Sequence, residues 1–394
     1  MKNARHNNWQ RQPIESIYAG LYDGPHATPK PADEGPVFLG IGNITEDGRL
    51  DLTQIRHIAE EDFPNWTKRV NPCQGDIVFT YEATLNRYAL IPEGFRGCLG
   101  RRLALIRPNP EKVDRRFLFY YFFSEDWRAT IARNTLSGAT VDRIPITKFP
   151  EFEICLPSLP TQRKIAAILS AYDDLIENNT RRIKILEEMA QALYREWFVH
   201  FRFPGHEKVK MVPSPMGPIP SGWRADKLKE HVELAYGKAL KAEDRHAGPF
   251  PVYGSSGVVG NHSEMLINGP GVIVGRKGNV GSVHWSDESF YPIDTVYYVQ
   301  TDLPLFYVFF NLQTQNFINN DAAVPGLNRN QAYSLSFLLP PTTVLTAFNA
   351  FCKPLFGRLR SLRAANSILR RTRDLLLPKL VSGAIDVANL DIRT

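Results

Sequence analysis

The stretch that most constrains this chain runs from Thr161 to His200, because it is patterned as one long helix that cannot stand alone. Leu169, Tyr172, Ile176, Asn179, Ile183, Leu186, Ala190, Leu193 and Trp197 recur at alternating spacings of three and four, the seam of a helix packed lengthwise on a partner. At ~1.5 Å per residue such a helix spans about 57 Å, more than one small core can cover, so it reads as a spacer between two domains. A second helix supplies the partner. Cys352, Leu355, Leu359, Leu362, Asn366, Leu369, Arg373, Leu376 and Leu380 repeat the spacing, each 183 residues after its counterpart. Two copies of one plan are expected, each a globular domain followed by a long helix.

Two like halves favour antiparallel pairing of the helices about a pseudo-twofold axis. Each seam holds one asparagine, and a buried amide facing leucine costs on the order of 1 to 3 kcal/mol, so the favoured register sets Asn179 against Asn366. Paired residue numbers then add to 545. Ile176 would face Leu369, Leu186 would face Leu359, and Tyr172 would meet Arg373 in a cation–π contact. Pro354 should kink the second helix or delay its start.

Read in order, residues 1–157 form a first mixed domain. It opens with Trp9 and the turn-rich DGPHATPKPADEG, continues through strand patterns in VFLGIGNIT, GDIVFTYEATL, RYALI and CLGRRLALIRP, and adds the helix-like aromatic block FLFYYFFSEDWRATIA. Strand-like FEICLP follows, then Pro157 and Pro160, with Thr161 as N-cap of the long helix. The remaining divisions are a first helix over 158–200, a linker over 201–222 with five prolines, a second domain over 223–340, a second helix over 341–382 and a tail over 383–394. The fold class is α+β: two mixed domains separated by an antiparallel coiled coil.

With 394 residues, 43% of them hydrophobic, the chain can fill two cores. Its longest apolar runs, such as Leu303 to Phe310, fall far short of the ~20 residues of a membrane span, and MKNARHNNWQRQ lacks the apolar core of a signal peptide. A cytoplasmic protein with no membrane partner is expected. Cys73, Cys98, Cys155 and Cys352 stand singly, which predicts buried thiols. The net charge of +6 is unevenly spread: residues 1–160 carry 20 basic against 20 acidic residues, and residues 200–341 carry 12 against 12. The excess lies on the second helix, where Lys353, Arg358, Arg360, Arg363, Arg370, Arg371, Arg373 and Lys379 face only Asp374. Such a face could track phosphates, dock on an acidic protein or simply be solvated.

No catalytic motif is visible. There is no phosphate loop, no G-x-G-x-x-G between strand and helix, no H-E-x-x-H and no His/Cys cluster, so neither catalytic residues nor a metal or cofactor site is expected on this chain. Glu60 to Asp62 reads as a solvated turn, and Asp23 with His26 as a loop-fixing pair. Binding has better candidates. In GRKGNVGSVHW, glycines permit close backbone approach while Arg276, Lys277 and Asn279 offer donors to phosphates or base edges, although a plain surface hairpin would look alike. Lys238, Lys241 and Arg245 form a second cluster, and Asn328 and Arg329 a third. The first domain offers Asn43, Arg87, Arg101 and Arg102; strand alternation in CLGRRLALI sets Arg101 beside Leu99 and Leu103 and makes Arg102 the more exposed.

The phrase LPSLPTQRKIAAILSAYDDLIENNTRRIKILEEMAQALYREWF, the ending RDLLLPKLVSGAIDV and the paired halves resemble the specificity subunit of type I restriction-modification systems over nearly the whole chain. DGPHATPK, FLGIGNITEDGRLDL and GDIVFTYEATLNRYALIPEG look like one target-recognition domain of that family, and GKALKAED, FPVYGSSGVVG and VIVGRKGNVGSV like another subtype. The resemblance implies a non-catalytic subunit that reads a bipartite, asymmetric sequence in double-stranded DNA, one half per domain. It also implies helices that space the halves and hold two methyltransferase subunits, with restriction subunits joining that core. S-adenosylmethionine, ATP and magnesium would belong to those partners. A ~57 Å spacer matches about 17 base pairs at ~3.4 Å per step, enough to separate two major-groove contacts. A scaffold that joins proteins, with domains binding peptides, is the competing reading; it predicts no salt-dependent binding to one bipartite DNA sequence.

Overall fold

The computed structural model describes residues 9–137, 141–318 and 326–393. Contacts divide the chain into two units, residues 1–178 with 366–394, and residues 179–365. In the first unit the segment Ile77–Thr80 is buried at every position. It is an inner strand of a four-stranded antiparallel sheet in the order Tyr18–Asp23, Leu103–Pro108, Ile77–Thr80, Tyr88–Leu90. Ile77, Phe79, Ala104 and Ile106 share a core with Phe117, Tyr121, Phe122 and Trp127, which come from the aromatic helices Arg115–Tyr121 and Glu125–Asn134 and their junction. Val78, Leu103 and Leu105 join Leu39, Ile44 and Leu99 on the other face. A sheet covered on both faces reads as a continuous apolar run, which is why IVFT does not alternate.

The second covering layer is a three-stranded sheet in which Ala32–Leu39 lies between Arg56–His57 and Gly97–Leu99, running parallel to the latter. CLGRRLALIRP is therefore two strands in two sheets. Gly100 to Arg102 form the turn between them, and Arg102 takes the left-handed conformation at φ 75°. Alternation does not carry across such a turn, so the expected order is reversed: Arg101 is exposed and Arg102 half-buried.

The second unit has a four-stranded sheet in the order Glu233–Tyr236, Val296–Gln300, Gly271–Gly275, Val283–Ser286. Its three-stranded layer places Phe250–Gly254 between Gly257–His262 and Tyr291–Pro292, again parallel to the last. Val272 and Val274 face the core that holds the aromatic helix Leu305–Thr314, and Ile273 faces Tyr253 and Phe290.

The first long helix runs Leu159–Tyr194 and ends in a π-turn at Arg195–Val199. It starts before the expected Thr161 cap, with Pro160 inside the first turn, where the missing N–H has no helical partner in any case. The second runs Thr342–Val381 straight through Pro354, so no late start occurs. The proline removes one backbone bond, but Phe348, Cys352 and Phe356 around it are buried in the core of the second unit. Seam positions on both helices are buried or half-buried; Leu169, Ile176, Leu359, Leu362 and Asn366 are nearly inaccessible.

Within the first unit the two helices run in opposite directions, as Arg373 meets Asp173 at 2.5 Å and the Asn366 amide donates to the Ile176 carbonyl at 3.3 Å. The arginine finds the carboxylate next to Tyr172 rather than the ring itself, because an ion pair with a fork of donors outweighs a cation–π contact. Asp173 also accepts from the Tyr120 hydroxyl at 2.5 Å. In the second unit Arg363 bridges Glu187 at 2.6 Å and Asp287 at 3.1 Å. The other basic residues of the second helix, from Lys353 to Lys379, are exposed.

Burial of the cysteines is mixed. Cys98 and Cys352 are inaccessible, with thiols pushed up to about 12 by burial, whereas Cys73 is exposed and Cys155 half-buried. Cys73 lies in the loop before Ile77–Thr80, outside either core. Alkylation of the native protein by iodoacetamide should mark Cys73 first and spare Cys98 and Cys352 until denaturant is added, as peptide mass mapping would read. Asp173→Ala leaves the Tyr120 hydroxyl buried without its acceptor and Arg373 without its main partner, so it should cost about 2 kcal/mol in urea denaturation. Adding Tyr120→Phe should recover part of that loss, because the stranded hydroxyl is gone.

Candidate nucleic-acid interface

In the first unit, loops at the edge of the three-stranded layer enclose a cavity of about 590 Å³. Gly40, Asn43, Gln54, Arg56, Arg101 and Arg102 are among its lining, so three of the four candidates from this domain converge there. They play different parts. The Asn43 side chain accepts from Gly40 N at 2.8 Å and donates to the carbonyls of Asp51 at 2.9 Å and Gln54 at 3.2 Å, which ties two loops together. Arg102 lies 3.1 Å from Glu82, without the alignment of a hydrogen bond. Arg56 and Arg101 are exposed. Arg87 is engaged beside this site, at 3.3 Å from both the Ile44 carbonyl and Glu46.

In the second unit the candidates separate into two places. Arg245 donates to the Val259 carbonyl at 2.6 Å, and Lys241 lies 3.5 Å from Glu243, while Lys238 is exposed. The other group gathers on Tyr236, an aromatic at the end of an edge strand that is 49% exposed. Guanidinium carbons of Arg276 and Arg329 each lie 5.0 Å from its ring centroid. Backbone pairing brings them there: Leu327 N donates to the Arg276 carbonyl at 2.7 Å, and Lys277 bridges to Gly326. Asn328 caps the short helix Arg329–Ser334 by accepting from Asn330 N and Gln331 N. Arg276 also donates to the Asp294 carbonyl at 2.7 Å, and Lys277 lies 3.9 Å from the Asp294 carboxylate. Asn279 is exposed on the same hairpin.

Both units thus present loop-borne arginines beside polar backbone, the donor set that duplex DNA recognition uses. The sequence model of the type I restriction modification DNA specificity domain matches residues 32–188 and again residues 220–343. The chain belongs to this family. It is a type I specificity subunit, the kind of protein its helix phrases resemble. Over 369 residues it is 23% identical to the type I restriction enzyme MjaIX specificity subunit of Methanocaldococcus jannaschii, spanning 85% of this chain and 83% of that one. Over 169 residues it is 28% identical to the type I restriction enzyme HindI specificity subunit of Haemophilus influenzae, spanning 42% and 36%. The fold is similar to that of a type I restriction-modification S subunit from M. genitalium, with a TM-score of 0.60 at 18% identity over 96% of this chain and 97% of that one. Among the described residues no helix of this specificity subunit is long and apolar enough to cross a membrane.

Two features escaped the sequence reading. Tyr236 sits inside the stretch YGKALKAEDR, but nothing in its spacing links it to residues 40 and 93 positions onward. Asp226, Glu230 and His231 place carboxylate and imidazole atoms within 4.8 Å of one another. Their valences are taken: His231 Nε2 lies 2.7 Å from Asp226, Arg224 donates to the same oxygen at 2.8 Å, and Glu230 accepts from Lys227 N at 3.2 Å. Burial pushes the Asp226 carboxyl up, but the bonds from His231 and Arg224 outweigh it and hold the group below the ordinary aspartate range. A depressed folded pKa adds stability above the unfolded value that is lost as pH falls through the folded one. Stability should therefore drop more steeply below about pH 4 in the wild type than in Asp226→Asn, measured as urea midpoints against pH.

Proposed function

We propose that this specificity subunit reads a bipartite, asymmetric sequence in double-stranded DNA, one half-site per unit. The observation that carries the reading is the double match of the DNA specificity family model, once in each half of the chain, on units whose sheets share one strand order. The finer architecture follows from it. The two long helices form an antiparallel coiled coil, the chain is a pseudo-twofold repeat, and the coil sets the unread gap between half-sites. Buried or half-buried seam positions on both helices, and the contacts of Asp173 with Arg373 and of Ile176 with Asn366, support this.

In this reading the subunit is itself non-catalytic and works in the cytoplasm, presenting DNA to two methyltransferase subunits, with restriction subunits added to that core. S-adenosylmethionine, ATP and magnesium serve those partners. Long-read mapping of adenine methylation in the host, with and without this gene, tests the proposal. One bipartite motif should vanish on deletion; an unchanged methylome, or methyl transfer by the purified chain alone, would overturn it. Arg276→Ala should weaken or relax recognition of one half-site only, by about 1 to 3 kcal/mol if the residue reaches a base.

A further inference from the structure

We infer that Arg329 reads a guanine in the half-site of the second unit, and that Tyr236 and Arg276 are the positioning residues that hold its guanidinium ready. The inference rests on the DNA-reading function proposed above and assigns a chemical part to a place in it.

Several arginines of this unit's described residues are held by carboxylates or carbonyls. Arg224 is paired with Asp226, Arg363 with Glu187 and Asp287, Arg202 with Glu196, and Arg245 is bonded to a carbonyl. Arg329 differs. Its guanidinium carbon lies 5.0 Å from the Tyr236 ring centroid and 5.7 Å from that of Tyr333, and among the described residues it has no carboxylate partner. Arg276 shares the Tyr236 ring but gives one nitrogen to the Asp294 carbonyl.

A cation meant only for phosphate gains little from such fixing, since exposed lysines such as Lys238 and Lys241 serve as point charges in any orientation. Contact with two rings restricts the planes the guanidinium can take. A guanidinium held in a plane presents two parallel N–H groups, and guanine in the major groove presents two parallel acceptors, O6 and N7. The stack is itself well anchored. Tyr236 is paired in register with Tyr297, whose hydroxyl donates to the Leu327 carbonyl at 3.3 Å, and Leu327 N is bonded to Arg276. Strand, hairpin and the start of the short helix are thus tied to one ring before any DNA arrives. The second arginine, with no salt bridge of its own among the described residues, also raises the positive potential there, which favours an electron-rich base edge.

The test uses the complete methyltransferase complex containing this chain, acting on a pool of duplexes in which every position of the recognised motif is varied. Arg329→Lys keeps the charge and loses the fork. Selectivity for guanine should fall about tenfold or more at one position of one half-site, with the other half unchanged. Tyr236→Leu should relax that same position alone and Tyr236→Phe should leave it intact; a purely structural role of the strand end would instead weaken the whole half-site in Tyr236→Leu. A uniform loss over all sequences with a shallower salt dependence would identify a phosphate contact and overturn the inference, as would intact selectivity in Arg329→Lys or a second half-site with no G·C pair. Failure of the wild-type complex to methylate any bipartite motif would instead overturn the function on which the inference stands.

Discussion

One carboxylate joins the parts of the first unit. Asp173, on the first long helix, accepts from Tyr120 of an aromatic helix and pairs with Arg373 of the second long helix, 200 residues away in sequence. Arg373 is 17% exposed and Asp173 32%, so neither charge is freely solvated. Burial alone would weaken the guanidinium's hold on its proton, but the bonds to Asp173 and Asp374 prevail. Leucines along a seam tolerate a slide of one turn with modest loss; a half-buried ion pair does not, because a shift of ~5.4 Å strands both charges. The Asn366 amide on the Ile176 carbonyl adds a second polar marker nearby. Polar contacts of this kind select a register that apolar packing leaves open.

The same logic of paired charge bears on the globular segments 1–160 and 200–341, which are neutral in sum although the chain reads DNA sequence. Arg107 gives two nitrogens to the buried Asp76 at 2.9 and 2.7 Å, Arg96 holds Glu60, Arg69 holds Asp23 and Arg11 holds Asp126. Such pairs tie arginines to carboxylates within the domains. A net balance near zero therefore says little about the arginines outside such pairs. Arg56 and Arg101 in one unit and Arg276 and Arg329 in the other are among those; the first two are exposed at a cavity, and the second two lie over an aromatic ring.

Helical periodicity was legible because 3.6-residue spacing survives any tertiary context that buries one side, and the long seams stand out over nine positions each. Sheet structure was legible in kind and less so in detail. GDIVF and GVIVG mark inner strands by apolar run alone, but in CLGRRLALI the left-handed conformation falls on Arg102 rather than on the turn's glycine, Gly100. That single conformation moves the strand end, changes the sheet and exchanges the exposure of two arginines. The candidate interface was legible only as residue types. Arg276 and Arg329 were named from separate stretches, yet their meeting depends on backbone pairing of residues 276–277 with 326–327, a long-range contact with no local signature.

Asparagine shows why residue type is such a weak guide to reading. Asn43 and Asn328 have the donor and acceptor pair that suits adenine, but Asn43 spends its amide on three backbone groups and Asn328 spends its oxygen on a helix N-terminus. A side chain that shapes a loop cannot also pair a base edge at full strength. What remains for recognition is set by subtraction, and the two guanidiniums on Tyr236 are the clearest remainder. Each lies 5.0 Å from the ring centroid, so they stand within about 10 Å of one another. At that distance two positive charges repel by about 0.4 kcal/mol even in bulk water, and by about 1.7 kcal/mol at an effective dielectric of 20. The ring returns roughly 0.5 to 1 kcal/mol per cation at an exposed site. The free protein thus holds the pair near balance, and an electron-rich group arriving between or beside them relieves the repulsion without displacing any internal carboxylate.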